Sequence, residues 1–228
     1  MKNLLFVLSI LVVPVFAVDT VYAPSKASTS IAFEIPFTGG VHRGVATDIQ
    51  GTLVLDSTNK LVSGRFVVPL TAMKTQNDTR DCHMREALGI DYTNSNFPAL
   101  HVCNAQNETP ATGPDSIAFP NLEFEFTQIA QTTGEALPSL LEEGKSYSVI
   151  LKGRFSAHGQ TKVLDATDLS STLEATLIKN GESMALHSVF PVVLKDYGIK
   201  VKPSHAGPVT ISVGEKATVK LNLSLVQN

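Results

Sequence analysis

The sequence contains no tryptophan, only two cysteines and no surplus of positive charge. Lys and Arg number 18 against 21 Asp and Glu residues, so the chain lacks the basic surface that displaces counterions from nucleic acids. Without Trp it also lacks part of the aromatic girdles that mark membrane-spanning barrels. These absences argue against a nucleic-acid partner and against a barrel embedded in a membrane.

Motifs for catalysis and metal binding are also missing. No G-x-S-x-G sequence is present to position a Ser nucleophile, and the six His residues show no H-x-x-x-H or H-x-H spacing. We therefore expect no metal and no cofactor. An acid/base enzyme stays open as an alternative, in which His83 or His158 transfers the proton and Asp81 or Asp196 orients the imidazole.

A short apolar run at the N-terminus, Leu4 to Val13, follows Lys2 and ends before a signal-peptidase site at Ala17. The run is too short to span a membrane, and this pattern is typical of an export signal. We expect residues 1–17 to be a cleaved signal peptide and residues 18–228 to form one periplasmic or secreted domain with no transmembrane span.

The two cysteines, Cys82 and Cys103, belong to a chain with an export signal. Oxidising compartments favour disulfides over free thiols or metal sites. The pair predicts a disulfide, which would contribute about 3 kcal/mol to stability in the chain-entropy model.

Alternating apolar and polar residues predict antiparallel strands. Leu122, Phe124 and Phe126 alternate with polar residues, and Asn180-Gly181 predicts a hairpin between two further alternating segments. Parallel strands, buried on both faces, would instead appear as continuous apolar runs. Eight or more strands, with no long helix to cover an open sheet, indicate an all-β sandwich or barrel. The long strands and tight hairpins favour the barrel.

One charged segment interrupts this pattern. Asn77 to Thr79 offer side-chain caps and Gly89 offers a stop, which predicts a single short helix near residues 80–89. Its polar side chains fit either an exposed, salt-bridged helix or the mouth of a binding site: Arg80, Asp81 and His83.

Several short segments, spread over nearly the whole mature chain, form a recognisable ordered set. They are Ser30–Phe33, Gly51–Asp56, Asp78–Met84 leading to Asn96–Leu100, Ala157–Lys162 and Phe190–Ile199. In that order they resemble the YceI-like family of bacterial periplasmic proteins, most distinctively in R-D-x-H followed by F-P and in the late D-Y-G-I. The resemblance implies a lipocalin-like antiparallel barrel of about eight strands. It also implies an apolar lumen that holds an isoprenoid or related lipid, with no catalytic activity established for the family.

The inner face of such a barrel would carry the ligand-lining rings Phe33, Phe66, Phe124, Phe126, Phe155 and Phe190. Residues near hairpin ends and on the helix are candidates for contact with a ligand head group or for the mouth: Arg80, Asp81, His83, Lys162, Asp196 and Tyr197. We expect a periplasmic binding or carrier protein for an isoprenoid, quinone-like or fatty-acyl chain. In a ligand-free structural β domain, the same rings would simply fill the core.

Overall fold

The computed structural model describes residues 18–91, 116–164, 173–201, 204–206 and 209–228. The predicted signal peptide and Cys103 lie outside these residues. The described residues form fourteen strands and one α-helix, with short 3-10 helices at Leu70–Ala72 and Leu194–Tyr197. The strands are β1 Thr20–Pro24, β2 Ser30–Phe37, β3 Gly40–Ala46, β4 Gln50–Leu55, β5 Leu61–Pro69, β6 Met73–Lys74, β7 Asn121–Gln131, β8 Ser146–Ala157, β9 Gln160–Leu164, β10 Leu173–Asn180, β11 Ser183–Val193, β12 Ser204–Ala206, β13 Val209–Ile211 and β14 Lys216–Gln227.

Eight of these strands close into an antiparallel barrel. Their order around the barrel is β1-β4-β5-β7-β8-β10-β11-β14, and β14 pairs back onto β1 with Tyr22 opposite Gln227. Closure leaves no free edge in the ring and turns one face of every strand inward. The prediction of an all-β antiparallel barrel of about eight strands with one short helix is confirmed.

Strand β14 has three partners because β1 and β2 share one of its edges. Its first half, Thr218 to Asn222, pairs with β2, and its last residues, Leu225 to Gln227, pair with β1. Strands β3 and β6 continue outward from β2. This extension brings the helix that follows β6 to one end of the barrel.

Helix α1 spans Asp78–Gly89, beginning two residues before the predicted start. The earlier start follows from the cap, because the Asn77 side chain accepts a hydrogen bond from the Arg80 backbone N–H at 2.8 Å. Asp81, Cys82 and several later residues are buried, so α1 packs against the protein and is not an exposed charged helix.

The predicted hairpin at Asn180-Gly181 is present, with a small shift of the turn. Asn180 pairs with Ser183, so Gly181 and Glu182 are the two turn residues, and Gly181 has φ +59°. A glycine with positive φ at the first turn position is typical of a type II′ hairpin.

The barrel interior is filled with side chains at the end far from α1. Inward residues there are at most 1% exposed: Leu53, Leu55, Val149, Leu151, Leu177, Leu186, Leu223 and Leu225. Nearer the middle lies what we call the phenylalanine cluster: Phe66, Phe124, Phe126 and Phe190. In this cluster Phe124 lies 6.4 Å from Phe126 and 5.9 Å from Phe190, and Phe66 lies 5.9 Å from Phe126, between ring centroids. Both regions form a packed core.

Candidate functional site

A cavity of about 550 Å³ lies between α1 and the adjacent end of the barrel. This volume falls within the range of small-molecule binding sites. Most of the described side chains around it are apolar: Phe33, Ile35, Met73, Met84, Ala87, Leu88, Leu122, Phe155, Ala157, Val192, Leu194, Ile199, Val201, Val213, Ala217 and Val219. The space therefore suits a hydrocarbon.

The periodicity of each element brings these side chains to the cavity. On β14, Ala217 and Val219 are two residues apart and face the same side of the sheet. On α1, Met84, Ala87 and Leu88 have i, i+3, i+4 spacing, which places them on one face of the helix. The apolar face of α1 thus covers the open end of the barrel.

The other described side chains that line this cavity are polar, and we call them the rim: His42, Thr75, Asn77, Thr79, Arg80 and His83. Among the described lining residues there is no carboxylate. The His42 ring stacks on Phe37 with centroids 4.0 Å apart. Burial lowers the pKa of His42, and the positive charge of Arg80 lowers it further. The rim therefore offers a permanent cation, Arg80, beside an imidazole that favours its neutral form.

The remaining charged groups of α1 have structural partners. Asp81, which is 1% exposed, accepts hydrogen bonds from the Thr75 backbone N–H at 2.8 Å and from the Thr75 hydroxyl at 2.6 Å. His83 Nδ1 lies 3.2 Å from a carboxylate oxygen of the buried Glu86. These contacts hold β6 and α1 in place beside the cavity.

His158 links three segments of the chain. It occupies the turn between β8 and β9 with φ +51° and is 8% exposed. Its Nε2 lies 2.7 Å from the carbonyl oxygen of Ile90, at the end of α1, and its Nδ1 lies 3.0 Å from the carbonyl oxygen of Tyr197. Both ring nitrogens face backbone carbonyl oxygens, which only accept hydrogen bonds, so the ring donates at least one N–H to this backbone. The arrangement anchors α1 and directs neither nitrogen at a ligand.

Residues 22–225 match the model of the YceI-like domain. The chain belongs to the YceI-like family. No curated protein matches it.

The solved structures that resemble this YceI-like barrel include two with TM-scores above 0.5. One is described as a polyisoprenoid binding domain from Saccharophagus degradans implicated in plant cell wall breakdown, with 12% identity, a TM-score of 0.57, and coverage of 91% of this chain and 98% of the other. The other is Burkholderia cenocepacia BcnA, with 11% identity, a TM-score of 0.56, and coverage of 88% and 98%. At this identity, the likeness shows a shared fold.

The six phenylalanines predicted to line the lumen separate into two groups. Phe33 and Phe155 line the cavity of the YceI-like barrel, whereas Phe66, Phe124, Phe126 and Phe190 form the phenylalanine cluster behind it. The alternating pattern identifies inward residues, but it carries no information about how deep in the barrel each one lies.

The six residues predicted for the head group or mouth are also distributed unevenly. Arg80 and His83 are on the rim, Asp81 is bonded to Thr75, and Tyr197 is buried with its ring 5.2 Å from Phe155. Lys162 and Asp196 are exposed and are not among the lining residues. His42 was missed, because nothing in its local sequence distinguishes it from the other polar residues of β3.

No metal-binding group of His, Cys, Asp or Glu is found within the described ranges. In the same part of the chain, no helix has the length and hydropathy needed to cross a membrane.

Tyr197 should titrate unusually. Burial raises its pKa to about 12, and the nearby Asp196 carboxylate adds to the effect. An unfolded Tyr ionises near pH 10, so above that pH the unfolded chain loses its proton first and is favoured. The free energy of unfolding should therefore fall by about 2–3 kcal/mol between pH 10 and 12 through this group.

The measurement is denaturant unfolding at pH 9 and near pH 12 for the natural protein and for Tyr197→Phe. The variant should lose this part of the pH dependence and keep the part due to other groups. If the free energy of unfolding falls equally between pH 9 and pH 12 in both proteins, Tyr197 ionises normally.

Proposed function

We propose that this protein binds an apolar lipid chain, such as an isoprenoid, a quinone-like molecule or a fatty-acyl chain, in the cavity beneath α1. The observation that carries this proposal is a largely apolar cavity of about 550 Å³ at the end of a closed barrel. A ligand-free structural β domain would have filled this space with side chains, as the far end of the barrel is filled. The polyisoprenoid binding domain of Saccharophagus degradans, which has the same fold, supports the choice of ligand class.

The polar end of the ligand would lie at the rim. Arg80 supplies a charged donor, and His42 and His83 line the same cavity. A carbonyl, hydroxyl or acidic head group can accept hydrogen bonds from these side chains, while the chain enters the apolar interior. The hydrocarbon supplies most of the affinity and the rim sets its orientation.

The proposal includes a location. Residues 1–17 act as an export signal, and the mature chain works in the periplasm or outside the cell as a single-domain carrier. The predicted Cys82–Cys103 disulfide belongs to this environment.

Binding, and not catalysis, is the favoured activity. The two histidines of the enzyme alternative contact Glu86 or backbone carbonyls, and Asp81 is bonded to Thr75. His83 has a carboxylate partner, but Glu86 is buried and does not line the cavity, so among the described lining residues no carboxylate is available as a second acid or base for a bound substrate.

The direct test uses protein purified from its native host. Organic extraction followed by mass spectrometry should yield an apolar lipid in a fixed ratio to protein. Delipidated protein should then bind a fluorescent isoprenoid analogue and melt at a higher temperature with it. At a hundredfold excess over Kd the gain is about 2.7 kcal/mol, which corresponds to roughly 5–10 °C for a chain of this size. Absence of extractable lipid, together with no binding and no rise in Tm, would refute the function.

A further inference from the structure

The cavity occupies only the α1 end of the barrel. On β8, six inward positions run from Tyr147 to Ala157, and only the last two, Phe155 and Ala157, line the cavity. On β14, only the first two inward positions do so, Ala217 and Val219. The described lining residues therefore mark a shallow space next to α1 and not a tunnel through the lumen.

The rest of the lumen has no room for a ligand. Leu53, Val149, Leu151 and Leu225 at the far end are 0% exposed. A side chain with no surface that water can reach adjoins no void large enough for a methylene group. A chain that enters beneath α1 therefore meets packed side chains before it reaches the far half of the barrel.

Phe155 forms the boundary between the two regions. It lines the cavity, and on its other side its ring stacks on Phe124 with centroids 4.5 Å apart and an interplanar angle of 29°. Tyr197 contacts the Phe155 ring edge-on at 5.2 Å, and Phe124 contacts Phe126 and Phe190 within the cluster. Because these neighbours are themselves buried, the Phe155 ring has little space into which it can rotate.

We propose that Phe155, supported by Phe124, limits the length of apolar chain that this protein encloses to roughly twenty carbons. A group the size of a water molecule or a CH₂ unit occupies about 30 Å³ in a liquid. A cavity of about 550 Å³ therefore accommodates on the order of twenty chain carbons. A longer isoprenoid leaves its remaining carbons outside the protein. This inference rests on the proposed function and specifies which lipids that function serves.

The experiment is a competition series on the delipidated mature protein. Geraniol, farnesol, geranylgeraniol and octaprenol, with ten, fifteen, twenty and forty carbons, displace a bound fluorescent isoprenoid analogue in a constant concentration of mild detergent. Affinity should rise about fivefold or more for each isoprene unit up to geranylgeraniol, because each added unit buries more hydrocarbon. From geranylgeraniol to octaprenol it should change less than about threefold, because the added carbons stay outside.

Two matched variants test the role of Phe155. Phe155→Ala enlarges the cavity and should let octaprenol bind about fivefold or more tightly than geranylgeraniol. Phe66→Ala makes the same truncation in the phenylalanine cluster, away from the cavity. Like the natural protein, this variant should bind octaprenol and geranylgeraniol with similar affinity. Thermal unfolding checks that both variants are folded. If either alanine variant fails to fold, the comparison is made with Phe155→Leu and Phe66→Leu instead.

The outcomes separate this inference from the proposed function. If the natural protein gains affinity steadily up to octaprenol, the far half of the barrel accepts ligand and the length limit is wrong, although lipid binding stands. If Phe155→Ala behaves like Phe66→Ala, Phe155 does not set the limit. If no prenol of any length displaces the probe, the proposed function itself fails.

Discussion

Replacement of Ala217 by Phe should lower the affinity for lipid by at least about thirtyfold while the barrel stays folded. Ala217 lies on the inner face of β14 and lines the cavity. A phenyl ring here displaces several carbons of the ligand, each of which contributes up to about 0.8 kcal/mol when buried. Loss of even a few carbons amounts to about 2–3 kcal/mol, and every 1.4 kcal/mol changes Kd tenfold.

The measurement is titration of delipidated protein with the fluorescent isoprenoid analogue. Val189→Phe is the matched control, because Val189 lies on the outer face of β11 and is 65% exposed. It should bind as the natural protein does. Equal affinity in Ala217→Phe and Val189→Phe would place the ligand somewhere other than the cavity beneath α1.

Loss of the predicted Cys82–Cys103 disulfide should lower the free energy of unfolding by about 3 kcal/mol. Closing a loop of about twenty residues restricts the unfolded chain, and removal of the bond restores that freedom. Cys82 is 0% exposed within α1, so the bond would fix the helix that covers the cavity. We therefore expect weaker lipid retention in the reduced protein as well.

The test begins with thiol labelling of exported protein under denaturing, non-reducing conditions, which should detect no free thiol. Denaturant unfolding is then compared with and without reductant, in the natural protein and in the double variant Cys82→Ala/Cys103→Ala. Reductant should destabilise only the natural protein. Two reactive thiols per chain before reduction would show that the disulfide does not form.

Strand content and hairpins could be predicted because they depend on local patterns. Leu122, Phe124 and Phe126 alternate with polar residues, and in the structure Phe124 and Phe126 are buried whereas Glu125 between them is exposed. Barrel closure is different, since it depends on pairing of β1 with β14, which are almost the whole chain apart. The alternating pattern is the same in a sandwich and a barrel. Long strands and tight hairpins favoured the barrel, and the family resemblance then decided between the two.

The residues of the candidate site could be predicted less completely from the sequence. The pattern places Phe155 and Phe126 on the same inner surface, but only the register and stagger of neighbouring strands place Phe155 at the cavity and Phe126 behind it. His158 is similar. Its Gly neighbour predicts a turn, whereas its contacts with Ile90 and Tyr197 join segments that are far apart in sequence.

The three partners of β14 have a consequence for how the protein reaches its native state. Until Lys216–Gln227 are available, β1 and β11 are unpaired edges of an open sheet, and β2 and β3 form a separate hairpin. Exposed edges and long-range pairing slow folding and favour association between chains. The growing polypeptide thus stays vulnerable to aggregation until Lys216–Gln227 emerge, and a chaperone that shields strand edges would act mainly in that interval.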